Sequence, residues 1–300
     1  MAPSVVMRVA FKNILFATDF SEVSQHALLH ALAMAKRYDA KLTVVHVAPP
    51  EEQVPIPMEP VSLELDWQAK RAAENMAQLE EFEPLHMYPH DTVLRQGNAW
   101  AQMADLVKEK GIDLVVLGSH GRGVLGTLLL GSVAEQVLRH ANCPVLTVGP
   151  DVLLTLVDRQ QLTHVLFATD FSQGSMHAVT YALSLAEENN ADLTLMHVLE
   201  QLEPMPAQYS KELLADYRKR LWEMVPDDAN LWCKPQVTVG IGVAADEIVR
   251  LAHDRQVDLI VMGVHSGGAV ANHLPWTVVH SVVRHARCPV LTVRGAKAAA

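Results

Sequence analysis

The chain repeats itself. Ile14–Val47, ILFATDFSEVSQHALLHALAMAKRYDAKLTVVHV, aligns with Val165–Val198 at an offset of 151 residues. Gly118–Val148 aligns with Gly263–Val293 at an offset of 145, with 15 identities in 31 positions. Agreement of that length does not arise by chance, and a repeat of this size decides the architecture before any single residue does. The two halves are copies of one folding unit, and the six-residue difference falls in the middle of each copy, where the resemblance fades. We place the units at residues 1–150 and 151–300, the first with an intact glycine motif and the second with a degenerate one.

Within each copy, apolar strands alternate with amphipathic helices. Asn13–Thr18, Lys41–Val47, Thr92–Gln96, Leu114–Leu117 and Val145–Val148 read as strands. Their near-continuous apolar character marks a parallel sheet covered on both faces. Glu22–Arg37 carries Ala27, Leu28, Ala31, Leu32 and Ala35 at helical spacing. Ser62–Phe82 has a similar pattern, and Asn98 caps a helix running to Lys110, before Gly111. The second copy repeats the strands near His164–Thr169, Asp192–Val198, Gln236–Val239, Leu259–Met262 and Val290–Val293. The expected fold is α/β: two repeated Rossmann-like (flavodoxin-like) domains, each a five-stranded parallel sheet in the order 3-2-1-4-5 with helices on both faces. The join, Gly149–Gln161, is short and apolar, unlike a flexible tether.

Composition narrows the partners. Half of the 300 residues are hydrophobic, enough for a core in each half, and the formal net charge is −10. Such a balance speaks against a nucleic-acid backbone or an anionic membrane as main partner. It leaves room for a bound nucleotide held by backbone dipoles. No apolar run approaches the roughly 20 residues of a membrane span, and the N-terminus lacks a basic segment with a cleavage site. A cytoplasmic location is expected. Cys143 and Cys288 occupy equivalent places before proline, Cys233 is unmatched, and all three read as reduced, buried thiols.

In a doubly wound sheet, ligands bind beyond the carboxyl ends of the strands, where the strand order reverses. The first strand ends at Asp19 and the fourth at Gly118. If these strands are neighbours, Asp19 and the glycine loop share a crevice. There Asp19 can accept hydrogen bonds from a ribose or contact a cation such as Mg²⁺. The backbone of Gly118, Gly121, Gly131, Ser132 and Val133 can cradle phosphates at a helix N-terminus. Each residue also has a plainer reading: Gly118 as a turn residue, Asp19 and Ser132 as helix caps. Their joint spacing is what favours a site.

These motifs resemble those of a tandem-domain universal stress protein of the UspA superfamily. The matching signals are FATDFS near each repeat start, LTVVHV at the second strand, and GSHGRG-x7-LGSV followed by CPVLTV. The resemblance covers nearly the whole chain in two copies. In that family the pattern G-x2-G-x9-G-[S/T] is linked to ATP binding, and it falls here on Gly118, Gly121, Gly131 and Ser132. The resemblance implies that Ala17 and Asp19 lie near adenine and ribose, that Val47 meets adenine through its backbone, and that Val133 donates to a phosphate. It places Arg122 and Gly123 in the loop over the phosphates. It further implies pairing of the last strands of the two domains as an intrachain pseudo-dimer, with a further homodimer as an additional level.

The second copy departs from the pattern. Ser266 stands for Gly121, Trp276 for Gly131, Thr277 for Ser132 and Pro275 for Leu130. A large side chain and a lost donor are poor company for a phosphate, so ordinary ATP binding is expected in the first domain alone. His46 and His197 match each other at the end of the second strand, as structural hydrogen-bonding groups or pocket-lining ones. Catalysis has little support: no P-loop, GxSxG elbow or HExxH occurs. Three readings remain: an ATP-binding stress-response module, an ATP-independent interaction or small-ligand protein, and a slow ATPase.

Overall fold

The computed structural model describes residues 8–49, 70–71, 73–77, 79–120, 130–152, 161–200, 207–264 and 276–295. The chain forms two compact units: Ala10–Val148, and Gly149 onward together with the residues that precede Ala10. Val9 belongs with the second unit, donating its N–H to Ser184 Oγ at 2.7 Å.

The first unit contains β1 (Asn13–Ala17), α1 (Glu22–Tyr38), β2 (Lys41–Ala48), α2 (Glu83–His86), β3 (His90–Gln96), α3 (Ala99–Glu109), β4 (Leu114–Gly118), α4 (Ser132–His140) and β5 (Val145–Val148). The second contains β6 (His164–Ala168), α5 (Gln173–Asn189), β7 (Asp192–Leu199), α6 (Ala207–Trp222), β8 (Gln236–Ile241), α7 (Ala244–Asp254), β9 (Leu259–Val264), α8 (Trp276–His285) and β10 (Val290–Arg294). The sheet of the first unit runs β3-β2-β1-β4-β5 and that of the second β8-β7-β6-β9-β10, with parallel pairing throughout each. This is the expected fold and strand order. β1 is flanked on both sides, Ile14 pairing with Leu42 and with Leu114. The strand order therefore reverses beside β1. Of the expected helix at Ser62–Phe82, residues 62–69, 72 and 78 lie outside the described residues, and 70–71, 73–77 and 79–80 are helical.

Local chemistry explains the ends. Ser21 caps α1, accepting the Ser24 N–H, and α1 stops at Asp39 in the left-handed region at φ 48°. α5 is built alike, with Ser172 as cap and Asn190 at φ 49° as stop. β4 is buried over Leu114–Leu117 because both faces are covered, whereas the edge strand β3 alternates exposed and half-buried residues. At the amino edge, Asp113 accepts the N–H groups of Lys12 and Asn13 at 2.7 and 3.0 Å. Asp258 holds Thr163 and His164 in the same way. An aspartate just ahead of β4 or β9 thus aligns it with the start of β1 or β6.

α1 buries an unusual pair. His26 and His30 lie one turn apart, and His26 Nδ1 and His30 Nε2 are buried with no hydrogen-bond partner among the described residues. Burial first, and the nearby His26 second, push the His30 pKa down from 6.5 to about 4. A neutral buried histidine takes up its proton only on unfolding in this interval. The associated stability is complete above pH 6.5 and is lost progressively as pH falls toward 4. His30→Leu should remove that loss. Between pH 7.5 and pH 5 the wild type should lose about 2 kcal/mol more of its unfolding free energy in urea than the variant does. Equal acid sensitivity of the two proteins would contradict this.

Candidate functional site

The site is built from two turns at the carboxyl edge of the first sheet. After β1 the chain turns through Phe20 at φ 63°. The strain is held by side chains: Asp19 Oδ1 accepts the Ser21 N–H at 3.1 Å and the Ser21 hydroxyl at 2.6 Å, and Thr18 Oγ1 accepts the Phe20 N–H at 3.0 Å. The second unit repeats this. Phe171 has φ 59°, and Asp170 Oδ1 accepts from Ser172 N at 2.9 Å and Ser175 Oγ at 2.6 Å. Asp19 therefore builds the turn that starts the helix, while Ser21 is the cap itself. The plainer reading of Asp19 as the helix cap is therefore not met, since Ser21 takes that place; Asp19 is a turn-building residue that also lines the cavity described below.

After β4, Gly118 meets α1. A Cβ on Gly118 would lie 3.1 to 3.2 Å from Val23 Cγ1, Val23 C and Ser24 N. At Gly263 the approach is closer still, to the backbone of Gly174 and Ser175. This glycine is required in both units for strand-helix packing. Ser119 then donates its N–H to Val148 O and accepts the Gly131 N–H, each at 2.8 Å. The second bond clips together the two ends of the loop between residues 119 and 131. Gly131 is the N-cap residue of α4 at φ −60° and ψ 141° and supplies no side-chain cap. Gly131 thus offers no side chain to the N–H donors of the first turn of α4, which carries the positive end of the helix dipole. Gly121, Arg122 and Gly123 lie outside the described residues.

Between these turns lies a cavity of about 270 Å³. Ala17, Val45, Val47, Met103, Leu117 and Ala134 form its apolar walls, and Thr18, Asp19, His46, Ser119, His120 and Ser132 supply polar atoms. Of the residues expected from sequence, the structure brings Ala17, Asp19, Val47, Gly118, Gly131, Ser132 and Val133 to this one cavity. His46 serves in both expected ways. It lines the cavity, and its Nδ1 donates to Thr18 O at 2.8 Å. Ser119 Oγ lies 2.7 Å from His120 Nδ1.

Sequence reasoning missed Thr18, Ser24, Val45, Ala99, Met103, Leu117, Ser119, His120 and Ala134. Two signals were available. Val45 shares a strand face with Val47 by period two, and Met103 lies one helical turn beyond Ala99. In the second unit, Ser266 and Pro275 fall outside the described residues, and Trp276 opens α8. Among the described residues no group of three or more His, Cys, Asp or Glu is arranged to hold a metal ion.

Comparison with known proteins gives a consistent picture. The model of the universal stress protein family matches residues 10–149 and 162–294. The chain is 27% identical over 302 residues to a universal stress protein of Mycolicibacterium smegmatis, covering 94% of this chain and 97% of the relative. It is 32% identical over 142 residues to universal stress protein MJ0531 of Methanocaldococcus jannaschii, covering 46% of this chain and 82% of the relative. Among solved structures, a universal stress protein from Archaeoglobus fulgidus DSM 4304 matches with a TM-score of 0.68 at 19% identity, over 94% of this chain and 98% of its own.

The glycine geometry makes a graded prediction. Gly118→Ala requires a shift of a few tenths of an ångström and should cost about 1 kcal/mol, whereas Gly263→Ala forces backbone apart and should cost roughly 3 kcal/mol. Calorimetric melting of each variant checks this, and equal losses would contradict the packing role.

Proposed function

The chain belongs to the universal stress protein family, and from that footing we propose that its first unit is an adenine-nucleotide-binding module. The observation that carries the reading is the cavity beside β1. It stands where the strand order reverses, the place where open α/β sheets take ligands. Its walls are apolar and one end opens on the first turn of α4.

Size apportions the ligand. About 270 Å³ is just below the roughly 300 to 1,000 Å³ of small-molecule sites. The space suits a base and sugar, with phosphates extending to the mouth. A flat base fits against the sheet face formed by Ala17, Val45, Val47 and Leu117 of neighbouring strands, beside Met103 of α3. Asp19 is placed for the ribose, and the N–H groups of Ser132 and Val133 for phosphate oxygens. Gly121, Arg122 and Gly123 belong to the same reading through the family motif. ATP, with or without Mg²⁺, is the proposed ligand, and the second unit, with its altered motif, acts as a structural pseudo-subunit.

The reading is one of binding, not turnover. Among the described cavity-lining residues none is lysine or arginine, so no cation there is set to clamp a γ-phosphate. A protein that holds a nucleotide without consuming it quickly suits a sensor of nucleotide state. No helix among the described residues is long and apolar enough to cross a membrane, and we infer a cytoplasmic setting.

Titration calorimetry of ATP and adenosine, with and without Mg²⁺, tests the proposal on wild type and Gly131→Trp. One ATP site per chain is expected in wild type. In Gly131→Trp, ATP should bind at least tenfold more weakly, a loss of about 1.4 kcal/mol, while adenosine binding persists. Equal ATP binding by both proteins, or none by wild type, would overturn the reading.

A further inference from the structure

We propose that the second unit is closed to a nucleoside at the base end of its crevice by its own buried side chains, independently of its altered glycine motif. This rests on the reading of the first-unit cavity as a slot for base and sugar.

Among the cavity positions that differ between the copies, two carry the argument. Val45 on β2 corresponds to Met196 on β7, and Ala134 on α4 to Val279 on α8. Both replacements are larger, and both are buried, Met196 at 1% exposure and Val279 at 2%. Their counterparts Val45 and Ala134 are buried as well, so the larger side chains add atoms inside the core on the face where the first unit has its cavity. The strand register shows that the methionine is accommodated rather than stray. Val198 pairs with Gly240, as Val47 pairs with Arg95. A Cβ on Gly240 would lie only 3.0 Å from Met196 Cε. Loss of the side chain on β8 makes room for the end of the longer side chain on β7. The exchange is a coupled repacking, as close-packed interiors require.

The rim is also occupied. His197 keeps the anchor of its counterpart His46, donating from Nδ1 to Thr169 O at 2.8 Å. Its ring is stacked on Tyr217 of α6, centroids 4.5 Å apart at 23°. A base entering this crevice would meet filled volume inside and a covered ring at the edge. Restoring the glycines would repair the phosphate end alone.

The test transplants the closure into the first unit of the full chain, as Val45→Met/Ala134→Val/Arg95→Gly, with every glycine of the motif kept. Adenosine and ATP should both bind at least tenfold more weakly, with their affinity ratio unchanged. Gly131→Trp, by contrast, should weaken ATP more than adenosine and so change that ratio. Wild-type-like adenosine affinity in the triple variant would overturn the inference. A reciprocal arm repairs the second unit as Ser266→Gly/Pro275→Leu/Trp276→Gly. One ATP per chain is expected there, and a second ATP site in that variant would overturn the closure. Circular dichroism and melting confirm that each variant is folded. If wild type binds no nucleotide, the reading of the first-unit slot fails and this inference falls with it. If wild type binds and the triple variant binds equally, only the closure fails.

Discussion

The crevice depends on a single close approach, that of the end of β4 to the first turn of α1. α1 crosses from β1 to β2 while lying against β4, and only a residue without a Cβ lets the helix come so near. With Gly118 in place, the turn after β1 and the turn after β4 stand side by side. The Asp19–Ser21 hydrogen bonds then shape one wall, and the Ser119–Gly131 clip shapes the other. At the opposite edge, Asp113 keeps β1 and β4 in register. The depth of the crevice follows from both restraints acting on the same two strands.

The duplication separates scaffold from site better than either unit would alone. The aspartate turn, the positive-φ phenylalanine, the packing glycine and the amino-edge aspartate recur in both units, although the hydroxyl donating to the turn aspartate is that of Ser21 in the first and of Ser175 in the second. These are demands of the fold. Asp19 and Gly118 thus carry less information about a ligand than their place in a glycine motif suggests. What distinguishes the first unit is a different set: Val45, Ala134, Ser119 and the residues of the loop. Gly131 is informative for a related reason. Its φ of −60° is open to any residue, so backbone strain does not explain a glycine there, whereas open access to the helix N-terminus does.

Most of the fold was legible because its signals are local. Buried strands announce themselves by continuous apolar runs, and Ser21 and Asn98 mark helix starts by the hydrogen bonds they accept. Element ends shifted by a residue or two, where hydrogen bonding frays. The site was legible where the chain meets it in sequence, at Ala17, Asp19, Val47 and Gly131–Val133. It was hidden where residues arrive from elsewhere. Met103 and Ala99 reach the cavity through the packing of α3 on the sheet, and no local pattern separates a cavity-lining methionine from a core one. The pairing of Met196 with Gly240 is a contact between neighbouring strands at positions 44 residues apart, visible only once the register is known.

The contrast between the units also bears on why the cavity persists. An unfilled apolar space forgoes dispersion contacts that a larger side chain would make, and natural cores are otherwise dense. Filling it takes only modest changes, of which Met196 and Val279 are examples in a unit with the same strands and the same turns. Because such filling is readily reached and stabilising, a space left open in one copy and closed in the other is hard to attribute to folding. Selection for stability alone would close both. On the proposed reading, the slot of the first unit is a binding space retained at some cost in stability, and the second unit is the form the same fold takes once that demand is lifted.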